Sequence, residues 1–212
     1  MKTDGKRGLA CAAALLVMAA GSLSAGLVRA ARATTPAATT TATTGGSAAT
    51  RPRAGDSAPA FRLKAVDSGE EKALDQLLKD GGPRGVAVVF LSCKCPYAAQ
   101  ARQPLGELFK TYGSKVTFVG INANQNESLE DIKADAAVSF PFPMLRDEDA
   151  KVADLFAAAR TPEAFLIDSS GVIRYHGGVA DLGAALGDLT ARRSVSKPEA
   201  KAFGCTIKRK AS

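Results

Sequence analysis

Polar and apolar positions alternate in FRLKAV (61–66), as they do in a half-buried edge strand. DSG then turns the chain, and KALDQLLKD places Ala73, Leu74, Leu77 and Leu78 on one side of a short helix stopped at Gly81 and Gly82. GVAVVFLS (85–92) is a continuous apolar run of strand length, which predicts a central strand covered on both faces. From Pro96 to Tyr112 the residues Leu105, Leu108, Phe109 and Tyr112 recur at helical spacing up to Gly113, with Pro104 expected to kink or break the helix. KVTFVGIN (115–122) predicts a second buried strand, ESLEDIKADAAVSF (127–140) a helix and PFPML a short extended segment. The run RDED (146–149) reads as a solvated turn leading into a helix over DEDAKVADLFAAA (147–159). AFLID and GVIRYH, joined by SSG, predict a hairpin, and DLGAALGDLTARR a last helix with Leu182, Ala185, Leu186 and Leu189 on one face. Buried strands alternating with helices predict an α/β domain, with a central mixed sheet and helices on both faces.

The ends of the chain lack this patterning. Residues 1–30 begin with Lys2, Lys6 and Arg7 and continue with an uncharged apolar run over 9–28, ending at small-residue sites. This is the layout of a secretory signal, which predicts an exported, periplasmic or otherwise extracytoplasmic protein. A run of this length also just suffices to span a bilayer, so retention as a membrane tether stays open. Residues 31–53 are rich in Ala and Thr, with no large apolar side chain to offset the entropy of ordering, and read as a linker. The domain is then expected over 54–192, with a basic tail containing Cys205 over 193–212.

Net charge is +7, which raises nucleic-acid binding as a candidate. Its distribution argues against that: residues 1–53 and 192–212 each carry seven basic side chains and one acid, whereas 54–191 carry 14 basic and 19 acidic ones. The domain itself is acidic, and no nucleic-acid partner is expected. No nucleotide-binding glycine pattern occurs either, so no organic cofactor is implied.

The chemistry is concentrated in SCKCP (92–96). If a helix begins at Pro96, whose fixed φ suits the first helical position, Cys95 becomes its N-cap. Unsatisfied N–H groups and the positive end of the helix dipole then favour a Cys95 thiolate, with Lys94 adjacent. Cys95 is therefore the expected nucleophile. Tyr97 either lines a substrate groove or packs on the strand.

AGDSAPAF, VVFLSCKCP, VTFVGINAN, TPEAFLIDSSGVIRYHG and FGCTIK together resemble the thioredoxin superfamily, in its redoxin (AhpC/TSA-like) branch of peroxiredoxin-like and thiol-disulfide interchange proteins. The last of these, FGCTIK, suggests a peroxiredoxin-like subfamily with a C-terminal Gly-Cys motif. The resemblance covers about residues 54–207 and implies a thioredoxin-like fold, with Cys95 at the place of the first cysteine of C-x-x-C. It also implies that Pro162 of TPEAF is a cis-proline facing the thiol, with neighbouring backbone at Thr161 binding extended substrates. Arg160 then takes the place of the arginine that polarises peroxide and thiolate. The pattern departs from the family at residue 98, an alanine where C-x-x-C has its second cysteine, and at Val88 and Ser92 where peroxiredoxins have Pro and Thr.

The resulting expectation is a monomeric thiol-dependent oxidoreductase. Cys95 attacks a protein disulfide or a peroxide, Cys93 or Cys205 resolves the adduct, and an external thiol reductant closes the cycle. Two other readings stand beside it: a Cu(I)-binding chaperone using Cys93, Cys95 and the sole histidine, His176, and a redox-inactive interaction domain of the same fold. A tetrahedral zinc site is not expected, because three thiols and one distant histidine would have to converge.

Overall fold

The computed structural model describes residues 51–210; the signal over 1–30 and the linker up to residue 50 lie outside the described residues. A seven-stranded mixed sheet runs in the order β2 (Glu71–Ala73), β1 (Arg62–Ala65), β5 (Met144–Arg146), β4 (Val116–Asn122), β3 (Gly85–Leu91), β7 (Glu163–Asp168), β8 (Ile173–Gly177). β3 is parallel to β4, and β4 to β5. β7 returns antiparallel along β3 and forms the expected hairpin with β8.

The side-chain period of two divides each central strand between two cores. Ala87, Val89 and Leu91 of β3 and Ala164 and Leu166 of β7 pack with α2 (Pro96–Tyr112), α3 (Leu129–Ser139) and α5 (Val179–Thr190). Val86, Val88, Phe90, Phe165 and Ile167 face the other way, onto α1 (Leu74–Asp80) and α4 (Lys151–Leu155). Every residue of β3 is buried, as an apolar run without alternation requires.

Several elements differ from their sequence signals. The first helix begins only at Leu74, because Glu71–Ala73 pair with β1. α2 passes through Pro104 without a break. α3 starts at Leu129, since the Ser128 hydroxyl accepts the Asp131 N–H as N-cap. α4 is much shorter than expected: Ala150 and Ala157 on either side take left-handed backbone, and Asp147 turns inward to accept the Ala153 N–H. The RDED run is thus not wholly solvated, as Asp147 is buried.

Residues 193–210 return across the domain. His176 of β8 exchanges backbone hydrogen bonds with Pro198 and Ala200. Farther on, β9 (Cys205–Thr206) forms a separate antiparallel ladder with β6 (Arg160–Thr161), pairing Arg160 with Thr206 and Thr161 with Cys205. Ile207 follows into the core beside α4, and its N–H reaches the Ala159 carbonyl. Arg51, at the other end, reaches the buried carboxylate of Glu163 at 3.0 Å.

Candidate active site

β3 delivers the chain to the N-terminus of α2 as expected. Pro96 is the first helical residue, and Cys95, with φ −92° and ψ 119°, is the N-cap. Its side chain makes no capping bond within the helix. The sulfur is instead turned to the β6–β9 ladder, donating to the Thr161 carbonyl at 3.0 Å and lying 2.7 Å from Cys205 Sγ. All three described cysteines are free thiols.

Burial pushes the Cys95 thiol up, whereas the Cys205 thiol in contact with it and the nearby Thr161 side chain and Ala98 N–H favour the thiolate, and the balance falls below the ordinary thiol value. The Thr161 hydroxyl is buried with no hydrogen-bond partner of its own. Cys205 moves the opposite way, raised first by its hydrogen bond to Cys95 and then by burial. When the pair loses a proton, the negative charge is thus favoured on Cys95 and the remaining proton on Cys205.

Cys93 has a different environment. Its sulfur donates to Glu127 Oε2 at 3.2 Å, and its N–H reaches the same oxygen at 3.1 Å. Asn122 Nδ2 donates there at 2.6 Å, while the Ser92 hydroxyl and the Lys94 N–H reach Oε1. Glu127 is only 5% exposed, so this is a buried carboxylate ringed by donors. Burial, and then the bond to Glu127, push the Cys93 thiol up to about 12. The same donors outweigh burial at Glu127 and hold its carboxyl below the usual range. Glu127 carries no signal in the sequence, where it reads as one acid in a helix start; only the fold brings it under the strand end.

The remaining candidates separate. Thr161 and Pro162 stand at Cys95, and the bond between them is cis. The Arg160 guanidinium meets the tail, donating to Thr206 Oγ1 at 2.9 Å and approaching the Gly204 carbonyl at 3.5 Å. Lys94, expected beside the thiolate, pairs with Asp131 at 3.1 Å. His176 stacks on Phe165 with its Nε2 2.6 Å from the buried carboxylate of Glu163, which the half-exposed Arg51 also reaches. Glu163 Oε2 also accepts the Ala159 and Arg160 N–H groups, fixing the backbone that becomes β6. Among the described residues, no group of three or more His, Cys, Asp or Glu is placed to hold a metal ion. Tyr97 is half exposed and lines, with Pro104, Pro162, Val179 and Phe203, an apolar groove of about 320 Å³ beside the thiols.

Similar proteins carry the same framework. The thiol-disulfide oxidoreductase ResA of Oceanobacillus iheyensis is 27% identical over 122 residues, 57% of this chain and 62% of that protein's length. An uncharacterized conserved protein from Geobacillus kaustophilus superposes with a TM-score of 0.69 at 27% identity, over 77% of this chain and 95% of the other. A hypothetical protein from Sinorhizobium meliloti gives 0.68 at 29% identity, over 75% and 96%. Peroxidoxin BcpB from Mycobacterium tuberculosis, at 23% identity and a TM-score of 0.56 over 68% and 99%, shares the fold. The thioredoxin-like architecture and the redoxin branch expected from the sequence are both borne out. Residues 54–176, which contain the Cys95 junction and the cis-proline strand facing it, match the AhpC/TSA family, and the chain belongs to that family.

Proposed function

We propose that this protein is a thiol-disulfide oxidoreductase in which Cys95 is the nucleophile and Cys205 the resolving thiol. The observation that carries the proposal is the 2.7 Å contact between the two sulfurs at the start of α2. The Cys95 thiolate attacks one sulfur of a substrate disulfide, forming a mixed disulfide and expelling the other sulfur as a thiolate. Cys205 then loses its proton and attacks Cys95 Sγ, releasing the second substrate thiolate and leaving a Cys95–Cys205 disulfide. The substrate gains two electrons, the protein loses two, and an external thiol reductant restores it. With a peroxide, attack by Cys95 on one oxygen gives a sulfenic acid and an alcohol or water, and Cys205 converts the sulfenic acid to the same disulfide with loss of water.

Cys93 is the weaker candidate for resolver, because its thiol is held on Glu127 and strongly disfavours ionisation. The copper reading loses its histidine to the Glu163 cluster. The N-terminal pattern supports export, with residues 1–30 as signal or anchor and the linker giving the domain reach from a membrane surface. Within the proposal the protein acts as a monomer on protein thiols and disulfides outside the cytoplasm.

Turnover of a small aromatic disulfide in the presence of a dithiol tests the assignment. Cys95→Ser should abolish the catalysed turnover and Cys93→Ser should retain most of it; with the aromatic disulfide alone and no dithiol, Cys205→Ser should release one thiolate per chain and keep a mixed disulfide on Cys95, where wild type releases two. Full activity of Cys95→Ser would falsify the proposal; loss in Cys93→Ser with retention in Cys205→Ser would transfer the resolving role to Cys93.

A further inference from the structure

Among the described residues β6 pairs with β9 alone, so the backbone beside Cys95 has its own tail as partner. The seat is close-fitting. A Cβ on Gly204 would lie 2.1 Å from the Thr161 carbonyl oxygen and 2.7 Å from its carbon, so only a residue without a side chain lets the tail reach this edge. Phe203, two residues before the thiol, lies 66% exposed at the apolar groove with Tyr97 and Pro162. Arg160 clamps the strand from the side through Thr206. Beyond it, Ile207 is buried and Lys208 bonds to Asn124 and Gln125. The tail thereby occupies the place where a disulfide-bearing chain must lie for its sulfur to reach Cys95, which is itself only 3% exposed.

We infer that β9 is an internal competitor on the β6 edge that the family uses for extended substrates: residues 203–206 hold that edge closed until a client strand displaces them, and glycine immediately before the client's reacting cysteine is the specificity determinant. The inference deepens the oxidoreductase reading and rests on it. Strand addition to an exposed edge gives affinity through backbone hydrogen bonds, and side-chain space gives selectivity. Here that space is absent at the position before the sulfur and apolar at the position before that. Tail and client compete for one edge, so the resting protein is held closed, the client gains access by displacing β9, and β9 must re-seat as the client strand leaves the edge for Cys205 to resolve the mixed disulfide.

The test uses the full chain, wild type and Gly204→Val, whose added side chain removes the tail from β6. The probes are Phe-Gly-Cys-Thr and Phe-Val-Cys-Thr peptides with a nitrothiobenzoate group on the cysteine, and the free aromatic disulfide as control. Cys95 attack on the peptide sulfur breaks its S–S bond and releases the coloured thiolate with the electron pair. If the docked tail leaves the edge free about a tenth of the time, Gly204→Val reacts with the glycine peptide roughly tenfold faster than wild type. It should also prefer the glycine over the valine peptide by at least about tenfold, a difference of about 1.4 kcal/mol. Ile207→Asp, which expels the tail through its buried anchor, should reproduce the acceleration. Equal peptide rates in wild type and both variants, or no preference between the peptides, overturns the inference while the control reaction upholds the oxidoreductase reading. Absence of the control reaction in wild type and variants defeats that reading and this inference with it.

Discussion

Replacing Glu127 by Gln removes one charge and leaves the shape of the side chain unchanged. Every neighbour of the carboxylate is a donor: the Ser92 hydroxyl, the N–H groups of Cys93 and Lys94, the Cys93 thiol and the Asn122 amide. A glutamine offers one oxygen and turns its own donor toward the others, so at least one buried donor loses its acceptor. A hydrogen bond to a charged group contributes about 1.5–3 kcal/mol, which sets the expected destabilisation at about 2–3 kcal/mol. In a domain of this size that lowers the melting temperature by roughly 5–10 °C. The same change acts on Cys93. With its thiol at about 12, only ~1 part in 10⁴ is ionised at pH 8. Burial is the first cause of that rise and persists in the variant, so only the share due to Glu127 disappears, giving about tenfold to a hundredfold more thiolate. Alkylation by iodoacetamide between pH 7 and 10, read at Cys93 by peptide mass mapping, measures it directly. Unchanged Cys93 labelling together with an unchanged melting temperature would refute the account of Glu127 as the residue that holds Cys93 protonated.

Three further outcomes are expected. Glu127 and Glu163 both have folded-state values below the ordinary carboxylate value, so their stabilisation is present above about pH 4.3 and is lost as pH falls through the lower folded values; acid denaturation of Glu127→Gln should accordingly be shallower than that of wild type. Oxidation should link Cys95 to Cys205, 110 residues apart, and the closed loop is worth up to about 4.7 kcal/mol, so the oxidised protein should melt roughly 10 °C above the reduced one; equal melting temperatures with the bond mapped in place would contradict it. Phe165→Ala, which empties a fully buried position between Phe156, Phe90 and His176, should cost about 3–5 kcal/mol in denaturant unfolding.

The parts of the fold legible in the sequence are those whose burial is local. β3 reads directly because both faces are covered and its seven residues need no alternation, and α2 because its apolar positions recur at helical spacing. β2 carries no signal of its own, because three residues of strand have no period and EKA continues smoothly into a helical pattern. The pattern around α4 overstates the helix, because the apolar spacing persists beyond the point where Ala157 turns left-handed. At the site, Cys95 was legible from chemistry alone, as a thiol before proline at a strand's end. The choice between Cys93 and Cys205 as its neighbour was not, because β6 and β9 are two residues each and lie 46 positions apart at Arg160 and Thr206, so nothing periodic announces their pairing. Spacing favoured Cys93 as a neighbour of Cys95, yet the backbone between them turns the two side chains to different partners, Glu127 and Cys205.

The return of Cys205 to Cys95 also changes how the protein bears force. Pulled from Arg51 and Lys210, the reduced chain can pay out along its whole described length. With Cys95 and Cys205 bonded, the 110-residue stretch between the sulfurs lies off the line of tension and withholds roughly 360–400 Å of extended chain. The load then passes from β3 through the sulfurs to the last few residues of the tail, bypassing α2, β4, α3 and the β7–β8 hairpin. A domain tethered at one end and drawn at the other would therefore report its redox state as a change in extensibility.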